Sequence, residues 1–459
     1  MSVSCDIAII GGGVVGTAIA RELSRFQLKA VLLEARPDLG DESSKGNSAL
    51  MCSGIDVPAG TLERQLVQRG YARYMAEAPE MGLPIRKVGA VTLAWTEEQR
   101  RILEHELAAA RRDGFAAELF DGAEIYRRWP QFGSGIQCGL WAPDEAIVDP
   151  FSTPHAYALD ALENGVEIRR GWHVQRAEYD GRGWTLFNGG DRLAARCVVN
   201  AGGIRADHVE ALAGQHDFDI KPRRGQYMIL DKSARAIHDV IAMPTPTPTT
   251  RGILIAPTIF GNVLVGPTAE DVVDRDDRRV TEDGLTQLRQ AIATMIPTLA
   301  DQPVNTIFAG MRPATQFRDY QIIPRLDRGW VTVAGIRSTG LSASLGIAEH
   351  VASLVIPGLF DAPQKSATRR IQVPSLSETS PRPWQDSARI AADPCYGEMI
   401  CHCEHITRGE LRDALASPLP PQTLNGLKRR TRAMFGRCQG FYCGARVQAM
   451  FDEGRGIPT

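Results

Sequence analysis

The sequence predicts an α/β protein in which a nucleotide-binding domain is interrupted by a second, sheet-rich domain and followed by a small cysteine-bearing module. Three observations predict it. A strand, a glycine turn, a helix and a second strand open the chain. Strand and helix patterns then alternate with long intervening stretches. Four of the nine cysteines fall after residue 400, behind a proline-rich segment.

Asp6 to Ile10 has the pattern of a short buried strand, Val14 to Phe26 places Ala18, Ile19, Leu23 and Phe26 on one helical side, and Ala30 to Leu33 is a second apolar run. Together they form a βαβ unit. Further along, Glu97 to Arg112 reads as a charged surface helix, and Asp149-Pro150 opens a helix through Ala161. Arg196 to Ala201 is a strand run. Arg223 to Leu230 and Ile253 to Gly266 look like sheet, Thr281 to Ile296 like helix. Trp330 to Ala334 is a strand, and Leu341 to Val355 a helix with a glycine inside it. The boundaries expected are 1–77, 149–215 and 321–360 for the nucleotide domain, and 78–148 and 216–320 for the interleaved domain. The segment 361–394 is a linker, and 395–459 the cysteine module. Met243 to Thr250, MPTPTPTT, predicts an extended surface loop. Pro363, Pro374, Pro381, Pro383 and Pro394, with many Ser and Thr, predict a flexible linker.

Composition excludes several classes. Hydrophobic residues are 43% and charged residues 23% of 459, ordinary for a globular chain. With 52 basic and 54 acidic residues the net charge is -2, which argues against nucleic-acid binding by bulk charge. No run of 18 apolar residues occurs, so no membrane span is expected. The N-terminus lacks the charged and apolar regions of a secretory signal, which predicts a cytoplasmic protein. Clustered cysteines in that compartment point to a metal centre rather than disulfides.

Gly11, Gly13 and Gly16 form G-x-G-x-x-G between strand and helix. The first permits a tight turn, the second a close approach of the backbone to a pyrophosphate, the third close packing of helix on strand. The helix start offers free N–H groups to phosphates. Glu34 closes the second strand 18 residues after Gly16, where an acid accepts from ribose hydroxyls. The pattern serves NAD and FAD alike. Ser43, Ser44, Asn47 and Ser48 follow closely and supply short polar groups for phosphates and a flavin edge.

The segments GGGVVGTAIARELSRF, LLEARPDLGDESSKGNSALMCSG, VVNAGGIRAD, PRRGQYMILDK, LVGPTAED, AGMRPAT and AGIRSTGLSAS cover most of residues 5–357. In them the chain resembles flavoenzymes of the glycerol-3-phosphate dehydrogenase and L-2-hydroxyglutarate oxidase group, relatives of glycine and D-amino acid oxidases. The resemblance implies FAD in a Rossmann-like domain, with an interleaved substrate domain. It places Ala201, Gly202, Gly335, Gly340 and Leu341 at the cofactor, and Arg312 of Gly-Met-Arg-Pro facing the flavin to grip an anionic substrate group. A planar guanidinium forks onto carboxylate or phosphate. Tyr227, Arg337, Tyr320, Arg223 and Arg224 are further pocket candidates. Ser338 or Thr339 is expected to cap the helix starting near Leu341. Relatives often carry His where this chain has Cys52, so a histidyl–flavin bond at that position is excluded; a buried, inert cysteine is expected there, with a cysteinyl–flavin link as the alternative. No general base is identifiable among the histidines.

Cys401, Cys403, Cys438 and Cys443 follow C-x-C, 34 residues, C-x4-C. Four thiolates suit a [2Fe–2S] cluster or tetrahedral zinc, and the C-x-C pair favours the cluster. CHCEHITRGELRDAL and KRRTRAMFGRCQGFYCGARV resemble the bacterioferritin-associated-ferredoxin-like [2Fe–2S] domain that is fused to anaerobic glycerol-3-phosphate dehydrogenase in its FAD-binding polypeptide. That resemblance implies electron transfer to companion flavin or iron–sulfur subunits. His402 is not expected to be a ligand. Lys428, Arg429, Arg430 and Arg432 offset cluster charge, dock an acidic partner or form a solvated face. The function expected is an FAD-dependent dehydrogenase. It oxidises a small anionic amino acid, amine or 2-hydroxy acid by hydride transfer and passes electrons on through the cluster. Glycerol 3-phosphate is the alternative substrate. A non-catalytic electron-transfer or redox-sensing subunit is the alternative of another class.

Overall fold

A computed structural model describes residues 4–247 and 250–455. Its strands form two large sheets. In the first, eight-stranded sheet the strands 167–170, 30–34, 5–10, 191–200 and 330–334 lie side by side and parallel. Such strands are covered on both faces, which is why Ala30–Glu34 is buried along its whole length and reads as a continuous apolar run rather than an alternation. Antiparallel strands 184–188, 176–179 and 321–325 extend the sheet. Helices Val14–Leu23, Leu62–Glu77, Ser152–Glu163 and Gly340–Val355 contribute to one apolar core with the central strands.

The glycine inside the last of these helices has a packing reason. A Cβ on Gly346 would lie 2.2 Å from the Leu66 carbonyl oxygen, and one on Gly70 would lie 2.2 Å from that of Ser342. Glycine in a helix costs about 1 kcal/mol against alanine, and here it lets two helices cross backbone to backbone. That crossing fixes where the helix starting at Gly340 points. The helix, running on to Phe360, is long and apolar enough by composition to cross a membrane, although no such span was expected. Here its apolar residues Leu345, Ile347, Val351 and Val355 are buried in the core of the first sheet.

The second sheet has nine strands in the order 270–271, 221–230, 263–266, 254–257, 241–244, 90–94, 138–142 and 118–121, with 304–314 paired to 221–230. All its pairs are antiparallel except 241–244 with 90–94. Ile253 to Gly266 is therefore two strands with a turn, and the Met243–Thr250 segment begins inside a strand. Pro248 and Thr249 lie outside the described residues. Small sheets join 50–51, 146–148 and 85–87, and 399–401 with 406–407.

The proline-rich segment departs from the flexible linker expected. It is a strap bound along the body. Lys365 N–H donates to Arg25 O, Gln27 N–H to Pro363 O, Val373 N–H to Met81 O and Glu378 N–H to Ile259 O. Val373, Leu376 and Ser377 are buried. Extended, proline-punctuated backbone leaves its remaining N–H and C=O groups free to pair with whatever surface it crosses, and the body supplies that surface.

Candidate active site and cysteine centre

The glycine turn is built by close backbone approach. Gly11 has φ 110° and its Cβ would lie 2.3 Å from the Ala201 carbonyl oxygen; a Cβ on Gly16 would lie 1.9 Å from Gly11 O. Gly13 is the N-cap of Val14–Leu23 and has no side chain to occupy that end. Glu34 is buried; its carboxylate accepts the Gly12 N–H at 2.6 Å and the Arg36 N–H at 2.6 Å. Burial raises its pKa and these two N–H groups oppose the rise. Ser44 Oγ accepts the Val14 N–H at 2.9 Å, at the start of the helix. Gly202 N–H donates to the Asn200 side chain, holding the turn after the 191–200 strand.

The loop carrying the short polar residues is locked onto the second sheet. Ser43 Oγ donates to Met311 O at 2.7 Å, and a Cβ on Gly310 would lie 1.9 Å from Gly46 O. Asn47 donates to Ser44 O and accepts from Ala49 N–H, shaping the loop itself. Ser48 is half-buried. The loop thus ties the dinucleotide turn to the strand carrying Arg312.

Arg312 is half-buried and donates to Thr268 O at 3.0 Å. Its guanidinium occupies the space a Cβ on Gly225 would need, 2.8 Å away. Tyr227, on the paired strand, is buried, stacks on Phe308 at 4.7 Å and interacts with Arg312. The structure therefore brings Arg312 and Tyr227 together. It does not add Arg337, whose guanidinium donates to Arg318 O and contributes to the field at Glu63. Arg224 is committed to Glu270 and Asp277.

A second cluster surrounds the N-terminus of Gly340–Val355, at Gly335, Gly340 and Leu341. Thr339 stands at the N-cap without capping, contrary to expectation, because its hydroxyl is turned away. It donates to Glu63 Oε1 at 2.5 Å and lies 2.6 Å from the Tyr320 hydroxyl. Burial raises the pKa of Glu63 and pushes Tyr320 well up. Cys52 N–H donates to Ser342 Oγ at 2.9 Å; burial, then the nearby Glu145 carboxylate, keeps its thiol protonated. Glu145 is 5% exposed and bonded to both the N–H and the hydroxyl of Ser53, with its pKa raised by burial to about 7. Arg251 pairs with Asp56 at 2.8 Å and feels Cys52, Glu63 and Tyr320. Glu63, Glu145 and Arg251 carry no motif. Only the fold gathers them.

Cys401, Cys403, Cys438 and Cys443 line one cavity of about 280 Å³ with His402 and Tyr442. Among the described residues no three such side chains close on a point as ligands of one ion would. The Tyr442 N–H, with those of Gly440 and Phe441, holds the Cys438 thiol below its usual range. Four sulfurs spread round a space, with amide donors aimed at one of them, fit a two-iron cluster better than a single zinc. His402 is exposed.

Residues 6–354 match the family model "FAD dependent oxidoreductase", and residues 399–453 match "BFD-like [2Fe-2S] binding domain". This chain belongs to the FAD-dependent oxidoreductase family. Its similarity to a glycerol 3-phosphate dehydrogenase of Caloramator mitchellensis is 32% identity over 457 residues, 98% of this chain and 95% of the relative. It is 28% identical to a glycerol 3-phosphate oxidase of Mycoplasma pneumoniae, over 76% of this chain and 94% of that one. One polypeptide of the anaerobic glycerol-3-phosphate dehydrogenase of Escherichia coli K12, a multi-subunit enzyme by its name, is 25% identical over 98% of this chain and 89% of its own length. A solved L-α-glycerophosphate oxidase of Mycoplasma pneumoniae with FAD bound superposes with TM-score 0.75 at 26% identity, covering 82% of this chain and all of that one (100%). This FAD-dependent oxidoreductase therefore carries two cofactors, FAD and a [2Fe–2S] cluster, and the residues present fit both.

The basic run of the cysteine module docks on this chain's own body. Arg429 pairs with Asp41 at 2.8 Å, Arg430 with Asp38 at 3.2 Å, and Arg432 with Glu404 while its guanidinium lies 3.8 Å from the Phe260 ring centroid. Burial lowers the pKa of Lys428, which lies over Phe435. These cations are neither a solvated face nor a free docking patch. The sequence around Asp38, Asp41 and Phe260 gives no sign that they are the other half of the contact.

Proposed function

We propose that this oxidoreductase is a glycerol 3-phosphate dehydrogenase of the cytoplasm that hands electrons through its [2Fe–2S] cluster to a companion flavin or iron–sulfur subunit. The observation that carries the substrate is the similarity to a glycerol 3-phosphate dehydrogenase along both modules. It favours glycerol 3-phosphate over the amino acid or 2-hydroxy acid expected first. The similarity to one polypeptide of an anaerobic, multi-subunit enzyme supports the companion chains.

FAD, when bound, accepts the hydride. Glycines 11, 13 and 16, Glu34 and Ser44 would hold its ribose and pyrophosphate. Arg312 would grip the phosphate through its forked donors, oriented by Thr268 O and by the Tyr227 ring beside it. An alcohol must lose its hydroxyl proton as hydride leaves. Two buried carboxyl groups with raised pKa values, Glu63 and Glu145, lie in the cluster at the helix start, and either would take that proton. Cys52, half-buried and protonated, would stay unreactive beside them.

The test is anaerobic titration of the purified protein with glycerol 3-phosphate, amino acids and 2-hydroxy acids, followed at the flavin band. Bleaching by glycerol 3-phosphate alone is expected. Bleaching by an amino or hydroxy acid and not by glycerol 3-phosphate overturns the substrate.

A further inference from the structure

We propose that Asp38 is a positioning residue. It seats the [2Fe–2S] module on the loop that builds the FAD site, so that flavin and cluster exchange electrons across a fixed interface within one chain. Asp38 is 1% exposed. Its carboxylate accepts the Gln422 N–H at 3.0 Å, the Thr423 N–H at 2.9 Å, the Thr423 hydroxyl at 2.6 Å and an Arg430 N–H at 3.2 Å. All four donors belong to the cysteine module. The nearest cation of the body, Arg170, stands at 3.7 Å. A carboxylate so buried needs its charge met, and here the module meets most of it.

The same loop serves the dinucleotide site. Glu34 holds the N–H groups of Gly12 and Arg36, and Gly40 N–H donates to Gly12 O at 2.9 Å. Asp41 then pairs with both Lys45 and Arg429. In a few residues the chain passes from the ribose-side acid to the anchor of the module. The fit leaves no slack, since a Cβ on Gly426 would lie 2.3 Å from Asp38 Oδ2.

Two further contacts with the body pin the other side. Arg437, beside Cys438, donates to Asp231 at 2.6 Å, and Phe435 stacks on Phe151 at 5.4 Å. With the strap bound as well, the module is seated rather than tethered. Cys401, Cys403, Cys438 and Cys443 would hold the cluster at this seat, where it would take electrons one at a time from reduced FAD and pass each to a one-electron acceptor, the flavin's protons going to water. No covalent bond forms between module and body.

The experiment uses the full-length holoprotein and does not depend on the substrate, because illumination with EDTA reduces the flavin directly. Two variants break the seat from opposite sides. Asp38→Asn removes the charge. Gly426→Ala adds a methyl group that favours the helix itself but collides with Asp38. In wild type, cluster bleaching should follow flavin reduction at a rate independent of protein concentration. In both variants that rate should fall, and protease cleavage in residues 361–394 should quicken roughly tenfold, the weight of one charge-assisted contact. Iron content and the electron paramagnetic resonance signal of the dithionite-reduced cluster should stay as in wild type, marking an intact module. Wild-type transfer rates and protease resistance in both variants would overturn the proposal, as would a wild-type rate that scales with protein concentration.

Discussion

The two proposed cofactor sites are made in opposite ways. The dinucleotide site is backbone: Gly11 against Ala201, Gly16 against Gly11, and amides fixed by one buried acid. The cysteine centre is side chain: four sulfurs from two short segments arranged round a space. A backbone-made site has no spare volume and fails by collision. A side-chain site fails by loss of a ligand and leaves its scaffold standing.

That contrast is broken most severely at Gly16. Gly16→Val would drive its Cβ into Gly11 O, 1.9 Å away, where the helix Val14–Leu23 packs on the turn. The purified variant should carry no FAD while its iron content persists; retention of stoichiometric FAD on extraction and chromatography counts against the backbone account. The converse loss comes next. Cys443→Ser should remove the two irons per chain while FAD stays bound, leaving a yellow protein. Metal analysis that finds zinc and no iron in anaerobically prepared wild type contradicts the cluster.

Arg312→Met sharpens the comparison inside the flavin half, since it removes a side chain from a pocket whose frame is backbone. FAD should remain, and reduction of the flavin by substrate should weaken by roughly 1.5–3 kcal/mol, the worth of a charge-assisted contact. Stopped-flow rates equal to wild type would show that Arg312 does not touch substrate.

An effect of similar size, but spread over about two pH units, is a pH dependence at Glu145. Its pKa is raised by burial to about 7, so the folded protein holds a proton that the unfolded chain releases near the ordinary glutamate value of 4.5. Stability from this group is full below that value and falls as pH rises through 7. Up to ~3 kcal/mol is involved. Glu145→Gln should flatten the decline between pH 5 and 7 in thermal unfolding, and an unchanged slope excludes the carboxyl as its source.

Much of the fold was legible because local signals and packing agree. Four of the five parallel strands were visible as apolar runs, the charged edge strand 167–170 being the exception, the Glu97–Arg112 helix as a charged pattern, and the cysteine module by its spacing. Thr339 misled because a threonine before a helix usually caps it. Here Glu63, brought by a distant helix, accepts the hydroxyl instead. The strap misled because its composition is that of a free linker, and composition does not reveal a surface waiting to pair with its backbone.

The sequence by itself determined the glycine turn with Glu34 and the spacing of the four sulfurs. Each is a short-range pattern whose geometry follows from chain stereochemistry. Tertiary structure alone decided that Arg312 meets Tyr227 and not Arg337, that Glu63 and Glu145 are buried beside the helix start, and that Asp38 receives Gln422, Thr423 and Arg430. Those contacts join residues far apart along the chain. Their physical content is burial, which sets what a carboxylate must find as a partner, and burial belongs to the assembled fold rather than to any stretch of chain.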